Sequence, residues 1–193
     1  MQGTPIPTGF VSLDEALGGG WPSPSLIELQ LDVYGIGEIQ LIRSLIKTLV
    51  DAAVSPALIV WINPPHHPNA VALAQHGLMS DQHWTLMNLS AADALWCMEK
   101  AIKSGACTAV IAWAASAKLA SLRRLKLAIA QSKAVAVLYR PADECVQASP
   151  STVRVRLAPD ASRLRLSLVK IQGRTPCELM VDIESHQLQA AHA

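Results

Sequence analysis

The stretch SLIELQLDVYGIGEIQLIRSLIKTLV, residues 25 to 50, changes its period halfway along. SLIEL reads as an extended apolar strand. Further on, Ile39, Ile42, Leu45, Ile46, Leu49 and Val50 recur at three- and four-residue spacing, which predicts an amphipathic helix from residue 38 to about 54. Between them lies LDVYGIGEIQ, with Gly35 and Gly37 at the turn. A glycine-bearing turn from strand to helix is where nucleotide-binding α/β proteins cradle phosphate, although a plain turn would also explain the glycines.

A phosphate loop of the form G-x-x-x-x-G-K-[ST] needs backbone amides that converge on phosphate, a lysine that neutralises it and a hydroxyl that holds magnesium. With Gly37 as the second glycine, Asp32 replaces the first, Glu38 replaces the lysine and Ile39 replaces the hydroxyl residue. Charges about 4 Å apart at an effective dielectric near 20 interact by roughly 4 kcal/mol, so the lysine-to-glutamate reversal moves that interaction by about twice as much. Micromolar binding is worth only about 8 kcal/mol in total. ATP is therefore not expected to bind here in the usual manner.

Outward from this stretch the alternation continues. ALIVWI is a continuous apolar run of the kind found in strands covered on both faces. NPPHHPN breaks the pattern, and NAVALAQHG predicts a short helix closed by Gly77. WTLMNL is a third strand. Ser90 with Asp93 reads as a capping box for the helix AADALWCMEKAIKS, ended by Gly105. CTAVIAW is a strand, KLASLRRLKLAIAQS a helix and AVAVLYRP a strand. Strands alternating with helices imply right-handed βαβ units, a mainly parallel sheet and helices on both faces. From residue 151, STVRVRLAP, SRLRLSLVKIQ and CELMVDI alternate apolar with polar, which predicts antiparallel strands with one wet face. The expected organisation is a single domain with its core at about 8–141, an antiparallel β extension at about 151–183 and a loose tail at about 184–193.

The chain has 193 residues, 51% of them hydrophobic, enough for one sizeable core. No apolar run approaches the eighteen or so residues needed to cross a bilayer, and MQGTPIPTGF lacks the features of a secretory signal, so a cytoplasmic location is expected. Cys97, Cys107, Cys145 and Cys177 form no C-x-x-C pair and read as reduced, buried small hydrophobes. His66 and His67, with neither cysteine nor carboxylate nearby, read as turn residues rather than zinc ligands. No cofactor and no metal are expected.

The net charge of +1 hides an acidic front and a basic back. Arg154, Arg156, Arg163, Arg165, Lys170 and Arg174 crowd the final hairpin. Each of the first two pairs is spaced by two residues and so shares a strand face. That face meets either DNA phosphates or an acidic partner, or is a solvated face with cross-strand pairing. Trp21, in GGGWP, and Tyr139 with Arg140, at a strand end, read as exposed contact residues, whereas Trp61, Trp96 and Trp113 read as core.

The run TGFVSLDEALGGGWPSPSLIEL resembles the lead-in to the ATPase core of RecA-type recombinases, and similarity extends over about residues 8 to 183. The resemblance implies a RecA-like three-layer αβα core. It places the family's catalytic glutamate on or beside Pro65 and its Walker B aspartate on Trp113, so the catalytic positions have departed together with the loop. Within that group the chain is most similar to the ImuA family, through G-G-G-W-P at 18–22, G-I-G-E at 35–38, W-I-x-P-P-H at 61–66, A-D-A-L-W at 92–96, S-G-A-C at 104–107 and Y-R-P at 139–141. This implies a non-catalytic accessory factor of SOS-induced mutagenic translesion synthesis. It would bind the polymerase-like ImuB, with RecA, an error-prone C-family polymerase and weak contact with DNA as further expectations. Because the core begins within about eight residues of Met1, filament assembly through an N-terminal helix and strand is not expected. SulA-type division inhibitors, which bind FtsZ, share several of these features but stop soon after the strand equivalent to AVAVLYR. A rearranged ATPase using His66, His67, Lys47 or Lys170 is the remaining alternative.

Overall fold

The computed structural model of the chain describes residues 3–53, 58–75, 83–143 and 148–183. Eight strands form one sheet: β1 (Ser25–Gln30), β2 (Leu58–Ile62), β3 (His83–Leu86), β4 (Cys107–Trp113), β5 (Val135–Arg140), β6 (Val153–Asp160), β7 (Arg163–Ile171) and β8 (Cys177–Asp182). Their order is β3-β2-β4-β5-β1-β6-β7-β8. The pairings from β3 to β6 are parallel, and β7 and β8 add antiparallel. The helices are α1 (Val11–Leu17), α2 (Gln40–Asp51), α3 (Ala70–Gln75), α4 (Ala91–Ser104) and α5 (Leu119–Ala130).

The alternation of side chains along the strands separates two cores. Leu13 of α1 and Leu41, Ile42, Leu45 and Ile46 of α2 cover one face, against Ile27, Leu29, Ile59, Ile111 and Val137. On the other face Leu95, Met98 and Ile102 of α4 and Leu122, Leu125 and Ile129 of α5 meet Leu26, Val60, Val110 and Leu138. Strands β1 and β5 are buried along their whole length; β5 runs apolar as far as Tyr139, while β1 buries the polar Ser25, Glu28 and Gln30 among its apolar residues. The arrangement is α/β with helices on both faces of a mostly parallel sheet.

Local signals fix the element ends. Ser90 Oγ accepts from the Asp93 N–H at 3.1 Å, and Gly105 closes α4 with a left-handed φ of 71°. Strand β3 is shorter than WTLMNL suggests. Asn88 and Asn63 both adopt positive φ, and Asn63 exchanges two hydrogen bonds with the backbone of Leu89, which turns the chain out of the sheet.

Several expectations are corrected. The extension is not wholly antiparallel: β6 pairs parallel with β1, so it lies inside the sheet, and its first three residues are buried. Helix α1 was not anticipated from the sequence. Trp96 is 55% exposed on α4, with the Lys100 ammonium 5.5 Å from its ring centroid. Cys177 is exposed, Cys97 half-buried and Cys107 buried, all as free thiols, while Cys145 lies outside the described residues. Gly77 and the tail at 184–193 also lie outside them. Among the described residues no helix is long and apolar enough to cross a membrane.

Candidate functional site

Because β1, β4 and β2 run parallel, their C-terminal ends emerge on one edge of the sheet, where ligands of open α/β sheets commonly bind. The loop after β1, the proline-rich turn after β2 and Trp113 at the end of β4 meet there around a cleft of about 370 Å³. Gly35, Gly37, Glu38 and Ile39 line it from the loop, Pro65 from the turn and Trp113 from the floor. Residues far apart in sequence, assigned separately to a lost phosphate loop, a lost catalytic glutamate and a lost Walker B aspartate, thus share one cavity.

Glu38 decides what the loop can do. Its residue is only 4% exposed, and its two carboxylate oxygens accept from the Gly35 and Ile36 amides, each at 3.0 Å. Amides that would face a phosphate oxygen in a working loop are held by the chain's own anion. Gly35 and Gly37 supply this curl with φ values of 78° and 98°, which other residues adopt only under strain. Asp32 holds the far side by accepting from the Ala142 amide at 2.8 Å, which ties the loop to the exit of β5. Ile39, where the motif has its hydroxyl, takes the N-cap position of α2 without a side-chain cap.

Beneath the loop runs a row of stacked rings, one per strand. Tyr139 stacks on Trp113 with centroids 4.6 Å apart, Trp113 on Trp61 at 6.2 Å, and Trp61 on His83 at 5.8 Å, where the indole Nε1 donates to His83 Nδ1 at 2.7 Å. The Tyr139 hydroxyl donates to the backbone carbonyl of Glu38 at 2.9 Å. Burial, and then the Glu38 charge, raise the Tyr139 hydroxyl well above the usual phenol range, so it remains a donor. Glu38 is the sole carboxylate among the described residues that line the cleft, and it is turned onto the loop. His66 of the turn lines the cleft as well, as do Arg43, Gln40 and Leu73. Sequence reasoning did not assign the last three, whose signal was their place on helices leaving the two loops.

The predicted contact residues divide sharply. Trp21 is fully buried, with its Nε1 donating to the Leu41 carbonyl at 3.1 Å, because a bridge between Ile6 and Trp21 folds the N-terminal segment over it. Tyr139 belongs to the ring stack. Arg140 and Arg154 are also buried. Both face the fully buried Glu28 carboxylate, Arg140 Nη1 at 3.4 Å and Arg154 Nε at 3.5 Å, and Ser149 donates to the other Glu28 oxygen. Lys170 donates to the Ser149 carbonyl at 2.7 Å. Its ammonium is lowered by burial and by Arg154, against an opposing effect of Glu28. Arg140 and Arg154 are thus turned into the protein, and Lys170 is half-buried beside them.

Arg156, Arg163, Arg165 and Arg174 are exposed. Arg156 donates to the Ala142 carbonyl at 3.3 Å, and Arg174 donates to the Glu15 carbonyl at 2.9 Å, near the C-terminal end of α1. Arg165 pairs with Asp160, and Arg163 stands between Asp160 and Asp182 in the strand register. One cross-strand ion pair, Arg165 with Asp160, lies on this face. No family model matches the chain, and no curated protein matches it.

Proposed function

We propose that the chain is a non-catalytic, RecA-like accessory protein of the ImuA kind. In this reading it acts in SOS-induced mutagenic translesion synthesis by binding the polymerase-like ImuB, with RecA and the error-prone C-family polymerase as further candidate partners. The observation that carries the non-catalytic part is the Glu38 carboxylate seated on the Gly35 and Ile36 amides. Two amides of the loop are thereby taken by the chain's own anion, and Pro65 and Trp113 supply no carboxylate across the cleft. The partner assignment rests on the six sequence stretches that resemble ImuA. It is also supported by the region after residue 150, which continues the central sheet through β6 and which SulA-type inhibitors lack in the resemblance drawn above.

Copurification of the full chain with ImuB and, in parallel, with FtsZ tests the reading. Retention of ImuB but not FtsZ is expected. Retention of FtsZ alone would replace the proposal with a division-inhibitor function, and magnesium-dependent ATP turnover would replace it with a rearranged ATPase.

A further inference from the structure

We infer that the outer face of α4 and α5 is a docking surface for an acidic amphipathic helix of a protein partner. The inference goes beyond the accessory reading, because it holds whichever protein supplies that helix. Charge is unevenly shared between the two helical layers. Helices α4 and α5 carry Lys100, Lys103, Arg123, Arg124 and Lys126 against Asp93 and Glu99, whereas α1 and α2 on the opposite face carry Arg43 and Lys47 against Asp14, Glu15 and Asp51. Lys126 is turned away to Thr152 Oγ1 at 2.6 Å, and Asp93 is engaged with Ser90 at the start of α4. Arg124 Nε meets Glu99 Oε2 at 3.1 Å across the furrow between the helices, and Lys103 meets the other Glu99 oxygen at 2.6 Å. Two cations thus share one carboxylate. Lys100 and Arg123, both exposed, have no carboxylate partner among the described residues, so positive charge is in excess along the furrow.

Two large apolar side chains stand exposed among these cations. Trp96 lies one turn before Glu99 and Lys100 on α4, with the Lys100 ammonium 5.5 Å from its ring centroid. Leu127, 66% exposed, lies one turn after Arg123 and Arg124 on α5. Residues three or four apart share a helix face, and the contact of Glu99 with Arg124 turns both of these faces toward the furrow. Exposed tryptophan and arginine are the residue types that anchor protein interfaces. Helices packed side by side present a furrow in which a third can lie, with its apolar stripe against Trp96 and Leu127 and its carboxylates beside Lys100 and Arg123. A phosphate backbone would match the cations but not Leu127. The α1 and α2 layer of a second copy is nearly balanced in charge and matches poorly.

The test uses the ¹⁵N-labelled full chain, two helix-forming acetylated peptides and an oligothymidylate. One peptide has a leucine stripe flanked by glutamates, and the other has lysines in place of the glutamates. The indole signal of Trp96, assigned with Trp96→Phe, is expected to move saturably with the acidic peptide and not with the basic one. Lys100→Glu combined with Arg123→Glu reverses two exposed charges and is expected to weaken the acidic peptide about tenfold, and Leu127→Ala, which keeps every charge, about threefold. Lys47→Glu, an exposed reversal on the opposite face, is expected to leave the affinity unchanged. Circular dichroism checks that each variant is folded, and the comparison of peptides on the wild-type chain decides the matter without them. No movement with the acidic peptide at millimolar concentration overturns the proposal, as does equal movement with both peptides or an equal loss in Lys47→Glu. Tighter binding of the oligothymidylate would assign the face to nucleic acid, and movement on raising the protein concentration alone would assign it to a second copy; either result overturns the proposal.

Discussion

Glu38→Ala removes the carboxylate that closes the loop. Two hydrogen bonds to a charged acceptor are lost, each at 3.0 Å. Such bonds contribute about 1.5–3 kcal/mol apiece when the freed donors stay dry. Gly35 is exposed and Ile36 half-buried, so water can replace the first acceptor but only partly the second. The expected cost is therefore about 2–3 kcal/mol rather than the full sum. For a chain of this size that corresponds to a fall in Tm of roughly 4–12 °C by thermal circular dichroism. Glu38→Gln keeps one acceptor oxygen without the charge and should lose about half as much. Amide exchange at Gly35 and Ile36 should accelerate in both variants, more in Glu38→Ala. A surface carboxylate with no such role would change stability by no more than about 0.5 kcal/mol. A Glu38→Ala Tm equal to that of wild type, with unchanged exchange at the two amides, would refute the closed loop.

Glu28→Gln leaves Arg140 and Arg154 buried around a neutral group, and a loss of about 3–5 kcal/mol is expected from urea midpoints, whereas Asp160→Asn at the exposed Arg165 pair should cost at most about 1 kcal/mol. Gly37→Ala would set a Cβ 2.8 Å from Ile183 Cγ2 at a φ of 98°, so it should lower Tm more than Gly105→Ala, which meets open space at a φ of 71°. Glu99 is held below the usual carboxylate range, chiefly by its hydrogen bond from Lys103 and also by the charges of Lys103 and Arg124, against burial. Its folded value is depressed, so its contribution is complete above the ordinary value of 4.5 and fades as pH falls through the folded value; Glu99→Gln should flatten that part of the acid-unfolding curve.

The parallel core was legible because ALIVWI and CTAVIAW are apolar without a break and the intervening helices repeat every three to four residues. What misled was long-range burial. Tyr139 and Arg140 look like the exposed end of a strand, but Glu28, which neutralises Arg140, stands 112 residues away. Trp21 lies in a turn-like glycine run and is covered only because Ile6 folds back to pair with it. Arg154 and Arg156 do share a face, yet Arg154 lies beside Glu28 in β1 and Arg156 lies where that face opens to solvent. Helix α1 escaped notice because its seven residues sit between glycines and prolines; its local signal was Asp14, which accepts from the Thr8 amide at 2.7 Å. At the loop, the departure of Asp32, Glu38 and Ile39 from the residue types of a phosphate loop could be read from the sequence. That Glu38 would turn back onto the loop could not, because the motif comparison concerns charge and the outcome depends on backbone curl.

Calorimetric titration of the full chain with magnesium ATP tests the closed loop most directly. With the Gly35 and Ile36 amides held by Glu38, no binding heat is expected up to millimolar nucleotide. Saturable binding in the micromolar range would contradict it, because the phosphates would then have to displace a carboxylate seated on those same amides.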